Sequence, residues 1–179
     1  MAYANPSTFV AGAVLTAAQQ NVLAANDRFF HGPPTVRVVN STGYDIPASG
    51  LWEEIPFNSE SWDSNTMFSS TANTKVFCRT AGKFLVSCHA GFNGSTVGDT
   101  RGVGVRNNST SGNPDFAAGY EGDLAIGAPQ RLPFSASDII ALTTGQYLQL
   151  VMLHNVGAAL GTSTIQERRP TMSMLWVSS

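Results

Sequence analysis

Residues 76–92, VFCRTAGKFLVSCHAGF, contain a two-residue alternation of side chains. One side of the alternation holds Phe84, Val86, Cys88, Ala90 and Phe92. The other side holds Leu85, Ser87, His89 and Gly91. This repeat is typical of a half-buried antiparallel strand and does not fit a helix. Because Ala81 and Gly82 precede it, we expect a tight turn there, with residues on either side forming a hairpin.

Short β segments separated by Gly, Pro, Asn and Ser continue from residue 35 to the end of the chain. The predicted strands are 35–40, 51–57, 66–70, 74–80, 83–92, 101–107, 116–121, 131–135, 147–155 and 171–177. The strand at 147–155 is apolar on both faces, which predicts a central position or an interface. About ten short strands with no further helix predict an all-β, two-sheet antiparallel sandwich.

The first 34 residues follow a different pattern, so we divide the chain into an N-terminal arm and helix, 1–34, and a β domain, 35–179. Thr16 and Gln19 have the spacing of a capping box, which predicts the start of a helix. Gly32-Pro33-Pro34 predicts its end. Residues 1–12 show no period and are expected to be extended, or disordered until bound.

The predicted helix carries an apolar seam whose members alternate three and four residues apart. They are Leu15, Ala18, Val22, Ala25 and Phe29. This is the a/d register of a coiled coil over about two heptads. A helix of about 15 residues is unstable without a partner surface. The seam therefore predicts either association with copies of itself or packing on its own domain, and these five residues are candidates for anchoring and oligomerisation.

Charged residues are only 12% of the chain, about half of the usual share of roughly 25%. Either much of the surface is hidden in an assembly, or the surface is polar but uncharged. The net charge is −2 and the basic residues are scattered, apart from Arg168-Arg169, so nucleic acid is not expected as a partner. No apolar run approaches the roughly 20 residues of a membrane span. No basic residue precedes Arg28, so we expect no secretion signal.

Residues for catalysis, metal binding or cofactor binding are not found in the sequence, so we expect no enzyme, no metal and no cofactor. His31, His89 and His154 occur in no triad-like setting, and the last two are interpreted as structural. Cys88 and His89 are neighbours on a predicted strand, where side chains point to opposite faces. Cys78 and Cys88 are predicted to be buried free thiols.

Aromatic residues near predicted loops suggest a second kind of function. Trp52, Trp62 and Tyr120 could stack on sugars, although packing in the core or at a subunit interface is the alternative. Trp62 and Tyr120 are therefore candidates for recognition of a host-surface glycan or protein, together with loops 93–100 and 108–114.

Several segments resemble the jelly-roll family shared by the globular head of complement's q-subcomponent and the tumour-necrosis-factor cytokines. They are AGKFLVS at 81–87, RGVGVRN at 101–107, LTTGQYLQL at 142–150 and MSML at 172–175. Gln146 stands where the family usually has Asp. The resemblance covers about residues 35–177 and implies a jelly roll that forms homotrimers through aromatic and aliphatic sheet faces.

A second resemblance covers the first 30 residues. FVAGAVLTAAQQN at 9–21, followed by Ala25-Asn26-Asp27, is similar to the opening of many tailed-bacteriophage virion proteins, with Phe9 where tryptophan is common. It implies a virion structural protein: a capsid decoration, head fibre or tail appendage. It would be assembled in the host cytoplasm and anchored to a major capsid or tail protein by its arm, with Phe9 among the anchoring residues.

Overall fold

The computed structural model describes residues 4, 8, 10–47, 50–93, 100–109, 111–121 and 133–179. The described elements are α1 (Ala17–His31), β1 (Thr35–Val39), β2 (Asp45–Ile46), β3 (Glu53–Glu54), β4 (Ser59–Asp63), a 3-10 turn (Ser70–Ala72), β5 (Val76–Phe77), β6 (Gly82–Gly91), β7 (Thr100–Asn107), β8 (Phe116–Glu121), β9 (Pro133–Leu142), β10 (Tyr147–His154), β11 (Leu160–Gly161) and β12 (Thr171–Ser178).

The strands form two main sheets. The five-stranded sheet has the order β4-β1-β12-β6-β9, and the second sheet has the order β3-β10-β7-β8, with β5 also paired to β10. Strands β2 and β11 form a small separate pair. Every pairing among the described strands is antiparallel. The predicted all-β, two-sheet sandwich is therefore confirmed.

Alternation along the strands fills the space between the sheets. The inward residues of β6 (Phe84, Val86, Cys88 and Ala90) are buried, together with Phe92 just beyond it. Met172, Met174 and Trp176 of β12 are buried as well. Strand β10 lies inside the second sheet, which agrees with its prediction as a central strand. The core therefore follows the two-residue repeat expected of half-buried strands.

The predicted hairpin at Ala81-Gly82 is wrong. Strand β5 pairs with β10 in one sheet, whereas β6 pairs with β12 and β9 in the other, so the chain crosses between sheets here. Gly82 has φ +150° and faces Trp176, and a Cβ on it would overlap the indole nitrogen. That nitrogen donates a hydrogen bond to the Ala81 carbonyl at 3.2 Å. The Ala-Gly pair therefore permits a close approach of Trp176 rather than a hairpin turn.

Other strand boundaries also differ from the predictions. No strand forms at 66–70, where Phe68 makes only an isolated bridge with Val76. The predicted strand at 51–57 is reduced to β3. Strand β4 was not predicted because SESWD has no apolar alternation and is almost wholly exposed. Strand β9 extends to Leu142, well beyond the predicted 131–135, whose first two residues lie outside the described part.

Gln146 closes the turn before β10. Its side-chain oxygen accepts a hydrogen bond from the Thr143 amide at 2.7 Å. The Gln146 amide donates to the Thr143 carbonyl at 3.1 Å, and Gly145 between them has φ +95°. The Gln146 side chain and backbone therefore both bond to Thr143 and close the turn.

Helix α1 begins and ends where the sequence predicts. The Thr16 hydroxyl accepts from the Gln19 amide at 3.3 Å, and the Gln19 side chain accepts from the Thr16 amide at 2.9 Å. Gly32 follows the helix, and its amide donates to the Arg28 carbonyl at 3.0 Å. The predicted capping box is therefore confirmed.

Candidate functional site

The solvent-facing side of the five-stranded sheet carries a line of apolar side chains, which we name the apolar row. The row consists of Trp62 (β4), Leu175 (β12), Leu85 (β6) and Ile139 (β9). Leu85 lies directly between Leu175 and Ile139 in the strand register. These four side chains are between 41% and 56% exposed. The row therefore runs across the whole sheet and stays in contact with water in the single chain.

Trp62 is fixed at one end of the apolar row. Its indole nitrogen donates to the Thr35 hydroxyl at 3.2 Å, and Thr35 lies opposite Leu175. The Arg37 guanidinium lies 5.5 Å from the centre of the Trp62 ring. These contacts hold the indole against the sheet, where it extends the aliphatic surface.

The two candidates for recognition lie on different sheets. Trp62 belongs to the apolar row, whereas the Tyr120 backbone lies in β8 opposite Arg101, and the Tyr120 side chain is outside the described part. Most of the predicted recognition loop 93–100, and residue 110 of loop 108–114, also lie outside it. The structure does not bring Trp62 and Tyr120 together.

Polar side chains occupy the same face next to the apolar row. His89 lies opposite Ser135, and Ser87 lies opposite Ser137, around a shallow depression of about 300 Å³. Burial lowers the pKa of His89, and the positive charges of Arg37 and Arg169 lower it further. This histidine therefore favours its neutral form in the folded protein.

Cys88 and His89 point to opposite faces of β6, as predicted. Cys88 is in the core, where burial raises its pKa to about 11, and His89 is on the solvent-facing side. Cys78 is also a buried free thiol, which confirms the prediction for both cysteines. The two neighbouring groups cannot act as a thiolate–imidazole pair.

His154 has a structural role inside the second sheet. It is 1% exposed, and its Nε2 lies 3.0 Å from the Ile46 carbonyl. The Val156 amide donates to its Nδ1 at 3.3 Å. Both contacts are satisfied when Nε2 carries the proton. Across the described residues, no three histidine, cysteine or acidic side chains are grouped in a way that could hold a metal ion.

The helix seam is only partly covered by the domain. Leu15 lies before the N-cap Thr16, so the prediction that it belongs to the helix is wrong; its side chain is exposed. Ala18 is exposed, Val22 and Ala25 are half-buried, and Phe29 is 1% exposed. Phe9 lies outside the described residues. The seam therefore packs on its own domain through Phe29 in its last turn. No helix in the described ranges combines the length and apolar character required to cross a bilayer.

Part of the N-terminal arm is bound to the helix. The Ala4 amide donates to the Asn26 side-chain oxygen at 3.0 Å, and the Asn26 side-chain amide donates to the Ala4 carbonyl at 2.7 Å. Asn26 is 7% exposed. Its carboxamide therefore pairs with the backbone of the arm as a neighbouring strand would.

Sequence reasoning missed several exposed apolar residues. Leu85 was assigned to the polar side of β6, where an aliphatic residue beside Ser87 was the available signal. Leu23 and Phe30 on α1 are 40% and 59% exposed but do not belong to the predicted seam. Their seven-residue spacing, which places both on one side of a helix, could have revealed them.

The order of the strands and the two facing sheets define an antiparallel jelly roll. The globular domain of zebrafish complement 1qA aligns over 82% of this chain and 99% of that chain, with a TM-score of 0.53 and 15% identity. Murine APRIL at pH 8.0 aligns over 79% of this chain and 98% of that chain, with a TM-score of 0.59 and 10% identity. No family model and no curated protein matches the sequence. The predicted complement/TNF-like fold is therefore confirmed.

Proposed function

We propose that this chain is a non-enzymatic structural protein of a bacteriophage virion, which forms a homotrimer and is anchored by its N-terminal arm and helix. The apolar row is the observation that carries the proposal. It places apolar side chains on four of the five strands from Trp62 to Ile139, with Thr35 of β1 opposite Leu175 and Arg37 of β1 opposite Trp62. Covering half of a leucine contributes about 1 kcal/mol, so several such side chains favour association.

Two further observations support self-association. The chain has the jelly-roll fold, and the family that it resembles forms threefold trimers through sheet faces. Its charged fraction of 12% suits a protein that hides part of its surface in an assembly. Three copies would cover the apolar row by contact with identical neighbours.

Anchoring is proposed for residues 1–34. Leu15, just before the helix, and Ala18 in its first turn offer an exposed apolar surface, and the arm resembles that of phage virion proteins. Three arms on one trimer would convert weak individual contacts with a capsid or tail protein into strong attachment. The protein would thus be found in the virion after assembly in the host cytoplasm.

The molar mass in dilute solution tests the trimer. Light scattering of the wild-type chain should give three times the chain mass of 18.9 kDa. Leu85→Asp should give a folded monomer, because it places a charge in the middle of the apolar row. Ala117→Asp, at an exposed position of the second sheet, is the matched control and should remain trimeric. A wild-type monomer would refute the trimer.

Attachment is tested separately with the full chain. Phage particles lacking this protein should bind the wild-type trimer on co-sedimentation. The double variant Leu15→Asp and Val22→Asp should stay trimeric and lose binding, because its seam carries charges. Binding of this variant at the wild-type level would rule out the seam as the anchor, and absence of wild-type binding would rule out the virion role.

A further inference from the structure

A cleft of about 480 Å³ lies on the second sheet, on the side turned away from the core. Trp52 and Leu153 are among its walls, and Gly102, Gly119 and Ala117 line its floor. Volumes of roughly 300–1,000 Å³ are typical of small-molecule sites. The cleft is therefore large enough for a ligand and is separate from the apolar row.

The floor of the cleft is almost bare backbone. Gly102 of β7 lies directly opposite Gly119 of β8. A Cβ on Gly102 would lie 2.7 Å from the Trp52 Cη2 atom, so the indole covers this position closely. A Cβ on Gly119 would lie 2.9 Å from the Arg101 carbonyl oxygen. The two glycines therefore keep the floor flat beside an aromatic ring.

Trp52 is held in place from behind by a buried arginine. Arg106 is 2% exposed and donates to the carbonyl oxygens of Trp52 at 3.3 Å and Gly112 at 2.8 Å. Its guanidinium also lies 3.5 Å from the Glu54 carboxylate. The hydrogen bond fixes the backbone of Trp52, and Glu54 neutralises the charge of Arg106. The half-buried indole is therefore preorganised for binding.

Among the described residues, the side chains that line the cleft are mostly uncharged. The charged residue among its lining is Arg101, whose guanidinium lies 5.9 Å from the ring of Phe92 on the core side of the sheet. Thr100 supplies a hydroxyl group at the rim. An aromatic wall, a flat floor and described side chains that are mostly uncharged suit a ligand with one apolar face and several hydroxyl groups.

We propose that this cleft binds a ring of a neutral oligosaccharide, with Trp52 as the stacking platform. The C–H face of the sugar would lie against the indole, and its hydroxyl groups would face Thr100 and solvent. Because the cleft and the apolar row lie on different sheets, trimer formation leaves the cleft open. The inference adds a ligand to the proposed function and does not depend on the oligomeric state.

The test uses the full chain and an array of short neutral oligosaccharides of glucose, galactose and N-acetylglucosamine, followed by calorimetric titration of the oligosaccharides that bind. Trp52→Ala should weaken binding by at least about tenfold, and Trp52→Phe should retain most of it. Ala117→Gln should also weaken binding, because it fills the floor from an exposed position without touching the core. Trp62→Ala is the matched tryptophan control and should bind as the wild type does.

The following results would overturn the proposal. Absence of binding to every neutral oligosaccharide of the array would exclude this ligand class. Wild-type affinity in Ala117→Gln would place the site elsewhere even if Trp52→Ala fails to fold. Loss of binding in Trp62→Ala alone would move recognition to the apolar row. Light scattering on the same samples separates these failures from a failure of the trimer.

Discussion

Phe29 in the last turn of α1 packs edge-on against Trp176 of β12, with ring centroids 4.6 Å apart and ring planes at 88°. Phe29 is 1% exposed, whereas its neighbour Phe30 is 59% exposed and lies 6.4 Å from the same indole. The buried ring of Phe29 therefore joins the helix to the end of the sandwich.

Replacing Phe29 should release the helix. Phe29→Ala is expected to lower the free energy of unfolding by about 3–5 kcal/mol, because it leaves a cavity against Trp176. Phe30→Ala is the matched control and should cost much less, since that ring is mostly in water. Denaturant unfolding followed by tryptophan fluorescence measures both. Equal effects of the two variants would mean that Phe29 does not hold the helix on the domain.

Gly82 should tolerate no side chain. In Gly82→Ala the new Cβ would overlap the Trp176 indole nitrogen and lie 2.5 Å from the Ser178 carbonyl oxygen. Backbone strain should lower the free energy of unfolding by about 1–2 kcal/mol. Overpacking against the indole should lower it by about 1–3 kcal/mol more.

Gly145→Ala separates the two causes of that loss. Gly145 has φ +95° and no atom within 4 Å of the added Cβ, so this variant should show the strain cost alone. Thermal and denaturant unfolding of both variants give the comparison. A Gly82→Ala variant no less stable than Gly145→Ala would show that the indole moves aside without cost.

The regular strands were predictable from the sequence because their burial alternates. In β6 and β12 every second residue faces the core, so Phe84 and Met174 could be assigned to the core without coordinates. Which strands pair with each other was harder to predict from the sequence. Ala81-Gly82 has the composition of a hairpin turn, but its glycine is required by Trp176 of β12, which is distant from it in the sequence.

Surface sites were harder to predict than the core. Trp62 was named from the sequence, but its position in the apolar row depends on β4, a strand without apolar alternation. The position of Trp52 depends on tertiary contacts: Arg106 donates a hydrogen bond to its carbonyl oxygen, and Gly102 leaves space for its indole. Such sites depend on residues from several strands, and a single sequence does not show which strands are neighbours.

The two thiols should report on global unfolding. Cys78 and Cys88 are buried, and burial raises the pKa of both, that of Cys88 to about 11. At pH 8 the folded Cys88 should hold roughly a few hundredfold less thiolate than a free cysteine with a pKa of about 8.5. Labelling with a disulfide reagent should therefore be slow in the native protein and rapid in denaturant. Single Cys→Ala variants assign the sites, and rapid native labelling at either site would contradict its burial.

His89 should make the protein less stable as the pH falls below neutrality. Burial, Arg37 and Arg169 hold its folded pKa below its ordinary value of 6.5. Between the folded pKa and that value the unfolded chain binds more protons, so the free energy of unfolding should decrease as the pH drops and level off below the folded pKa. His89→Gln should remove this part of the pH dependence. Urea unfolding between about pH 7.5 and 5.5 measures it, because the histidine titrates in that range and most carboxylates do not.

Arg37→Gln provides an internal check on the electrostatic cause of this pH dependence. Removing that positive charge should move the pKa of His89 back toward 6.5 and narrow the window in which stability falls. The Arg169 charge and the burial would remain, so the dependence should decrease without vanishing. A wild-type slope that survives in His89→Gln would assign the pH dependence to other groups. An unchanged window in Arg37→Gln would leave burial as the dominant cause, because desolvation then outweighs the nearby charge.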